Sequence, residues 1–266
     1  MVIGWVEMDE ARKSELVADL KAQIRAQELG ARPAGSLPSL PFGLPEIDDA
    51  LPTGGLALGA IHEVHGGGAD LIHGAAAVSF IAGVLARTVG PIIWAMPRRD
   101  LFPPALAAVG VHQDRVIYVE AGKDVLLVVE EALRHVGLAA VVGEIDGPVS
   151  LTASRRLLLA AEASGGLGLL LRRPRRLRQD HTDEPTAART RWRVTAVPSG
   201  PTLPCSPAKP GLARARWRLD LLRCRGGEPR VFEVGACDAQ GRLGLSADSA
   251  DELASEGSAG RRVVNA

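Results

Sequence analysis

Apolar residues recur along this chain in two rhythms, and the rhythm changes once. From about residue 60 to residue 171, short continuous apolar runs alternate with longer helix-forming stretches. Ile61 and Val64 belong to the first run, and Pro91–Ala95, Val116–Glu120, Leu138–Ile145 and Leu167–Leu171 follow as strands. Between them the pattern predicts helices over Ala75–Arg87, Leu101–Val109, Asp124–His135 and Thr152–Ala163. Pro103 and Pro104 suit a first helical turn, and Asp124 is placed to cap its helix. Uninterrupted apolar strands alternating with helices predict a mostly parallel central sheet flanked by helices on both faces.

Past that point the rhythm becomes that of antiparallel strands. Arg172 to Pro210 is rich in arginine and proline and has little periodicity, apart from an alternating Arg191–Val197. In Arg214–Arg223, Trp217, Leu219 and Leu221 face one way, and Arg216, Arg218 and Asp220 the other. Gly226-Gly227 turns this strand into Pro229–Val234, giving an antiparallel C-terminal extension. At the other end, Leu16, Leu20 and Ile24 form a narrow stripe on a helix over Glu7–Leu29. Pro- and Ser-rich Arg32–Pro41 reads as a linker, Glu46–Leu51 as a short helix, and Pro52–Gly55 as a turn. The expected organisation is an N-terminal helix over 1–30, a linker over 31–41, an α/β domain over 42–245 and a disordered tail over 246–266.

Composition adds exclusions. A 266-residue chain with 46% hydrophobic residues can bury a large core and is not globally disordered. No apolar run reaches membrane-span length, and the charged N-terminal segment is unlike a signal peptide, so a cytoplasmic protein without membrane contact is expected. Cys205, Cys224 and Cys237 are too widely spaced for a metal knuckle and read as reduced thiols. The formal net charge of zero conceals an uneven distribution: −7 over residues 1–171, +10 over 172–225 and −3 over 226–266.

The chain's chemistry centres on Ala60–Ala77, which reads as strand, glycine-rich turn and helix. Gly66, Gly67 and Gly68 permit a tight turn, and such a turn ahead of a helix cradles phosphate on backbone N–H groups. A working phosphate loop also carries Lys and Ser or Thr at the helix start. His73, Gly74 and Ala75 stand in those places, so the cofactor-binding set Gly66, Gly67, Gly68 and His73 is a degenerate loop, and no cofactor is expected.

Gly43-Leu44, Ile47-Asp48, Ala50-Leu51, Gly54-Gly55-Leu56, Gly59, Ile61 and Glu63 resemble the lead-in to the ATP site of RecA-type recombinases. Over roughly residues 40–240 the chain is most similar to the ImuA family, RecA-like accessory proteins of bacterial damage-induced mutagenesis. The resemblance implies a RecA-like fold and a non-catalytic role in SOS-induced translesion synthesis. It implies partnership with an ImuB-like Y-family polymerase homologue and an error-prone C-family DNA polymerase, with RecA and single-stranded DNA as further candidates. Two rivals remain: an ATP-dependent recombinase-like motor, and a relative of the SulA cell-division inhibitor.

Departures from the recombinase pattern fall where ATP chemistry needs specific groups. Besides the altered loop, Trp94–Arg99 offers no carboxylate at the end of the second strand. The strand Leu138–Ile145 leaves only Glu144 or Asp146 for magnesium. Phosphoryl transfer depends almost wholly on such positioned charges, so hydrolysis is not expected.

Several residues have a functional and a structural reading. His62 and His65 point to opposite faces of a strand, which favours local hydrogen bonding over a shared metal. Glu144 and Asp146 are either a residual magnesium site or, the favoured reading, a solvated strand end. Arg172, Arg173, Arg175, Arg176 and Arg178, with Arg189, Arg191 and Arg193, either line a path for DNA phosphates or form a solvated cationic surface. Recombinase DNA-binding loops lie in this part of the chain. Trp192 could stack on a base, but a tryptophan in an alternating strand is more often core.

Overall fold

A computed structural model describes residues 38–68, 70–173, 183–199 and 214–245. The expected helix over Glu7–Leu29, most of the linker and the tail from Ser246 lie outside these residues.

The chain enters through β1 (Ser39–Leu40), which pairs antiparallel with β2 (Leu56–Ala57). The last part of the expected linker is therefore a strand. Between them α1 (Pro45–Asp48) opens on a proline, and the Asp48 carboxylate accepts the backbone N–H groups of Phe42 and Gly43 at 2.7 and 2.9 Å. The sequence elements then alternate as β3 (Ala60–Gly66), α2 (Asp70–Ala86), β4 (Ile92–Met96), α3 (Pro103–Ala108), β5 (Val116–Glu120), α4 (Val125–Leu133), β6 (Ala140–Ile145), α5 (Leu151–Ser164) and β7 (Leu167–Arg172). After these come β8 (Thr190–Val197), β9 (Arg216–Cys224), β10 (Arg230–Gly235) and β11 (Gly244–Leu245).

Nine of these strands form one sheet in the order β11-β10-β9-β8-β3-β7-β6-β4-β5. From β8 to β5 the pairing is parallel, and from β8 outward to β11 it is antiparallel. The change of rhythm in the sequence thus marks the change of pairing, with β8 belonging to both parts. Asp124 makes no side-chain capping bond to α4. Ser150 caps α5 instead, accepting the Ala153 N–H at 3.1 Å.

Two apolar layers cover the sheet. On one face, Ala77, Phe80 and Ile81 of α2 pack with Trp94, Val142, Leu169, Trp192 and Trp217. On the other, Val125, Val129 and Leu133 of α4 and Leu157 and Ala161 of α5 pack with Ile61, Val141 and Leu170. Trp192 is fully buried, with its ring centroid 5.6 Å from that of Phe42 and 6.0 Å from that of Phe80. The core reading of this residue holds. Trp217, Leu219 and Leu221 are buried as their alternation required, although Asp220 on the opposite face is buried as well. Among the described residues no helix is long and apolar enough to cross a membrane.

Candidate functional site

Every parallel strand ends on the same side of the sheet, and the chemistry-bearing residues gather at those carboxyl ends. The glycine turn lies there. β3 ends at Gly66 and α2 begins at Asp70, so the helix starts well before the expected Ala75 and the turn is short. Gly67 donates its N–H to Val194 O at 2.8 Å, extending the pairing of β3 with β8. A Cβ on Gly67 would lie 1.9 Å from Thr195 Oγ1 and 2.9 Å from Thr195 Cα. His73 folds back over the turn, where a Cβ on Gly68 would meet its Cδ2 at 3.2 Å. His73 Nδ1 accepts the Ala196 N–H at 3.3 Å. The glycines serve close approach of β8 and His73, and at least one N–H that a phosphate would use is committed to protein.

Charge is buried beside this turn, on the α4/α5 face. Glu63 pairs with Arg191 across β3 and β8, and His65 pairs with Arg172 across β3 and β7. Glu63 Oε2 accepts from Arg191 Nε at 2.6 Å, while Arg172 Nη1 lies 3.9 Å and His65 Nε2 3.8 Å from the same carboxylate. Burial alone would raise the Glu63 pKa. Contacts to His65 and Arg191 and the charge of Arg172 outweigh it and hold the pKa down to about 2. Burial also lowers the His65 pKa, opposed by Glu63. Arg172 reaches Gly147 O at 2.9 Å and Glu184 at 3.0 Å, and Arg191 reaches Thr186 Oγ1 at 2.9 Å. This network fixes β8 against β3 and anchors the chain on both sides of the 174–182 segment.

His62 faces the opposite layer. Its Nε2 donates to Ala57 O at 2.9 Å, so its Nδ1 accepts from Thr190 Oγ1 at 2.7 Å. Thr190 in turn accepts the Trp192 indole N–H at 2.8 Å. Burial pushes the His62 pKa down to about 4. The expected divergence of His62 and His65 and the local bonding of His62 are both present. Among the described residues no group of three or more His, Cys, Asp or Glu is placed to hold a metal ion.

Glu144 corrects the expectation of a solvated strand end, because it is 1% exposed. Its Oε1 accepts the Trp94 indole N–H at 2.7 Å, and its Oε2 accepts from Arg173 Nη1 at 2.7 Å. The same Nη1 donates to Asp100 Oδ1 at 2.8 Å. Burial raises the Glu144 pKa, and the Arg173 and Trp94 bonds oppose that rise. Magnesium nucleotide needs free carboxylate oxygen here and convergent N–H groups at the turn. The residues present do not fit it: a guanidinium and an indole take the carboxylate, and β8 and His73 close on the turn.

The eight candidate DNA-binding arginines do not form one strip. Arg172 and Arg191 are only 2% and 3% exposed and are bound to acidic groups, so they do not face phosphates. Nothing in a run of arginines signals which of them will be drawn under the sheet. Arg173 is tied to Glu144 and Asp100. Arg189 immediately precedes β8, half-buried, with its N–H bonded to Ile61 O at 2.8 Å. Arg193 is half-buried on β8, while Arg175, Arg176 and Arg178 lie outside the described residues. Glu63, Trp94, Asp100 and Glu184 are the site residues that sequence reasoning missed. Glu63 and Arg191 left a signal, since a charge inside an apolar strand must find a buried partner.

A cleft of about 720 Å³ opens between the ends of β4 and β6, lined by Pro97, Lys123, Leu126, Asp146 and Pro148 among others. The chain leaves β4 toward the β5 edge and leaves β6 toward β7. Such a switch point is where open α/β sheets carry ligand crevices.

No protein-family model matches this chain. It is similar to Protein ImuA of Caulobacter vibrioides strain NA1000 / CB15N, with 41% identity over 212 residues, covering 76% of this chain and 85% of that protein. Protein ImuA of Caulobacter vibrioides strain ATCC 19089 / CIP 103742 / CB 15 matches with the same identity and coverage. In fold it is similar to the crystal structure of the RadB recombinase, with a TM-score of 0.54 and 15% identity over 78% of this chain and 99% of that one. The fold is thus RecA-like, and at this identity and coverage of its curated relatives the chain belongs to the ImuA family.

Proposed function

We propose that this ImuA-family protein is a non-catalytic, RecA-like accessory protein of SOS-induced translesion DNA synthesis. It works in the cytoplasm with an ImuB-like Y-family polymerase homologue and an error-prone C-family DNA polymerase, and RecA and single-stranded DNA are further partners. The observation that carries the non-catalytic reading is the state of Glu144, whose two oxygens are bonded to Trp94 and Arg173. The shut glycine turn supports it, because Gly67 N–H and His73 are bonded to β8. Of the basic residues, Arg193 and the Arg175, Arg176 and Arg178 group remain as candidates for contact with DNA phosphates.

The test has two arms. Captured from DNA-damaged cells, the protein should bring both polymerase homologues with it, equally with and without ATP. Purified and saturated with ATP, it should release no phosphate, with or without single-stranded DNA, beside an active RecA control. Its likeness to a recombinase favours the motor as the second reading. DNA-stimulated turnover lost on Glu144→Gln would establish that motor and overturn the accessory role.

A further inference from the structure

We propose that Arg173 is a built-in counter-cation, standing where two carboxylates would otherwise gather a divalent metal ion. Glu144 is buried at the end of β6, and a buried carboxylate is tolerated only when its charge is matched. Glu144 Oε2 and Asp100 Oδ1 both lie within 2.8 Å of one nitrogen, Arg173 Nη1. Two carboxylate oxygens focused on one positive point are a small move from bridging an ion whose oxygen ligands lie at about 2.0–2.6 Å. Among the described residues Arg98 also approaches Asp100, at 3.7 Å, but its side chain is 59% exposed, so it balances the pair weakly.

The backbone holds the guanidinium in place. Arg173 N–H donates to Ile145 O at 2.9 Å, carrying the β6–β7 pairing one residue past the end of β7. Trp94 Nε1 fixes the other oxygen of Glu144 from β4. One positive group from the chain therefore joins three segments: the one after β4 that carries Asp100, the end of β6, and the start of the basic segment after β7. Their arrangement is set by the protein's own charge and does not require a bound ion. This inference goes beyond the accessory role and stands independently of any partner.

The experiment uses the full chain without nucleotide or partner. Thermal unfolding is followed in chelator and in millimolar manganese or magnesium, and bound manganese is counted by electron paramagnetic resonance. The wild-type melting temperature should not respond to metal. Arg173→Ala should melt lower in chelator, recover part of the loss when metal is added, and bind manganese at least tenfold more tightly than wild type. Adding Asp100→Asn to Arg173→Ala should abolish that gain, which separates the site from general attraction to negative charge. If the alanine variant does not fold, Arg173→Gln, a neutral chain of similar reach, takes its place in the same titration. A folded variant with no gain in metal binding overturns the proposal, as does a wild type that binds manganese as tightly as the variant. A folded variant with no gain leaves the polymerase-accessory reading untouched; manganese bound by the wild type would also count against its non-catalytic part, which the capture and phosphate-release experiments test separately.

Discussion

Removing the Glu63 carboxylate tests whether the buried charge network holds β8 on the sheet. In Glu63→Ala, the Arg191 and Arg172 side chains, 4% and 1% exposed, lose the carboxylate between them. Stripping one partner from a buried ion pair costs about 3–5 kcal/mol. Linkage gives a second route to the magnitude. The Glu63 pKa falls from 4.5 to about 2 on folding, which at about 1.4 kcal/mol per unit corresponds to about 3 kcal/mol. For a domain of this size, about 2–4 °C of melting temperature per kcal/mol translates the loss into about 6–20 °C. The folded pKa is depressed, so this stability is present at neutral pH and disappears as pH falls from 4.5 through about 2. Circular dichroism melts of wild type and Glu63→Ala across that range provide the assay. The gap should be widest at neutral pH and close in acid. A gap below about 1 kcal/mol at neutral pH would refute the network as a source of stability. Replacing Glu63, Arg172 and Arg191 together by apolar residues should recover much of the loss, because no fully buried charge is then left unmatched; Glu184, which loses Arg172, is 25% exposed and reaches water.

Three further outcomes can be measured. His62 is held neutral, its pKa lowered by burial from 6.5 to about 4, so the unfolded chain binds the extra proton and stability should fall as pH drops through that window. His62→Gln should flatten that part of the stability–pH curve. Gly67→Ala forces a Cβ into Thr195 at 1.9 Å from Oγ1; it should lower stability by about 1–3 kcal/mol in denaturant melts, and Thr195→Gly should recover part of this. If DNA is contacted, binding should weaken steeply with salt, and Arg175, Arg176 and Arg178 replaced by Glu should abolish it in fluorescence anisotropy without changing the melting temperature. Full DNA affinity in that triple variant would reject those residues as the contact.

Much of the architecture could be read from the residues alone. Continuous apolar runs at Leu138–Ile145 and Leu167–Leu171 required strands buried on two faces, as β6 and β7 are, and the alternation of Trp217, Leu219 and Leu221 required one buried on one face. Both signals are local, because side-chain period follows from backbone geometry. α2 starts at Asp70 and not at the expected Ala75, because Gly66, Gly67 and Gly68 read locally as room for a loop, whereas β8, far along the chain, closes on them at Gly67. The fate of the charges was likewise decided by tertiary structure. Arg172 and Arg173 are neighbours in sequence, yet at the end of β7 one turns under α5's side of the sheet toward Glu63 and the other meets Glu144. Their shared sequence context is a run of arginines. Only the register of β7 between β3 and β6 determines which carboxylate each meets, and thereby which charge is removed from solvent.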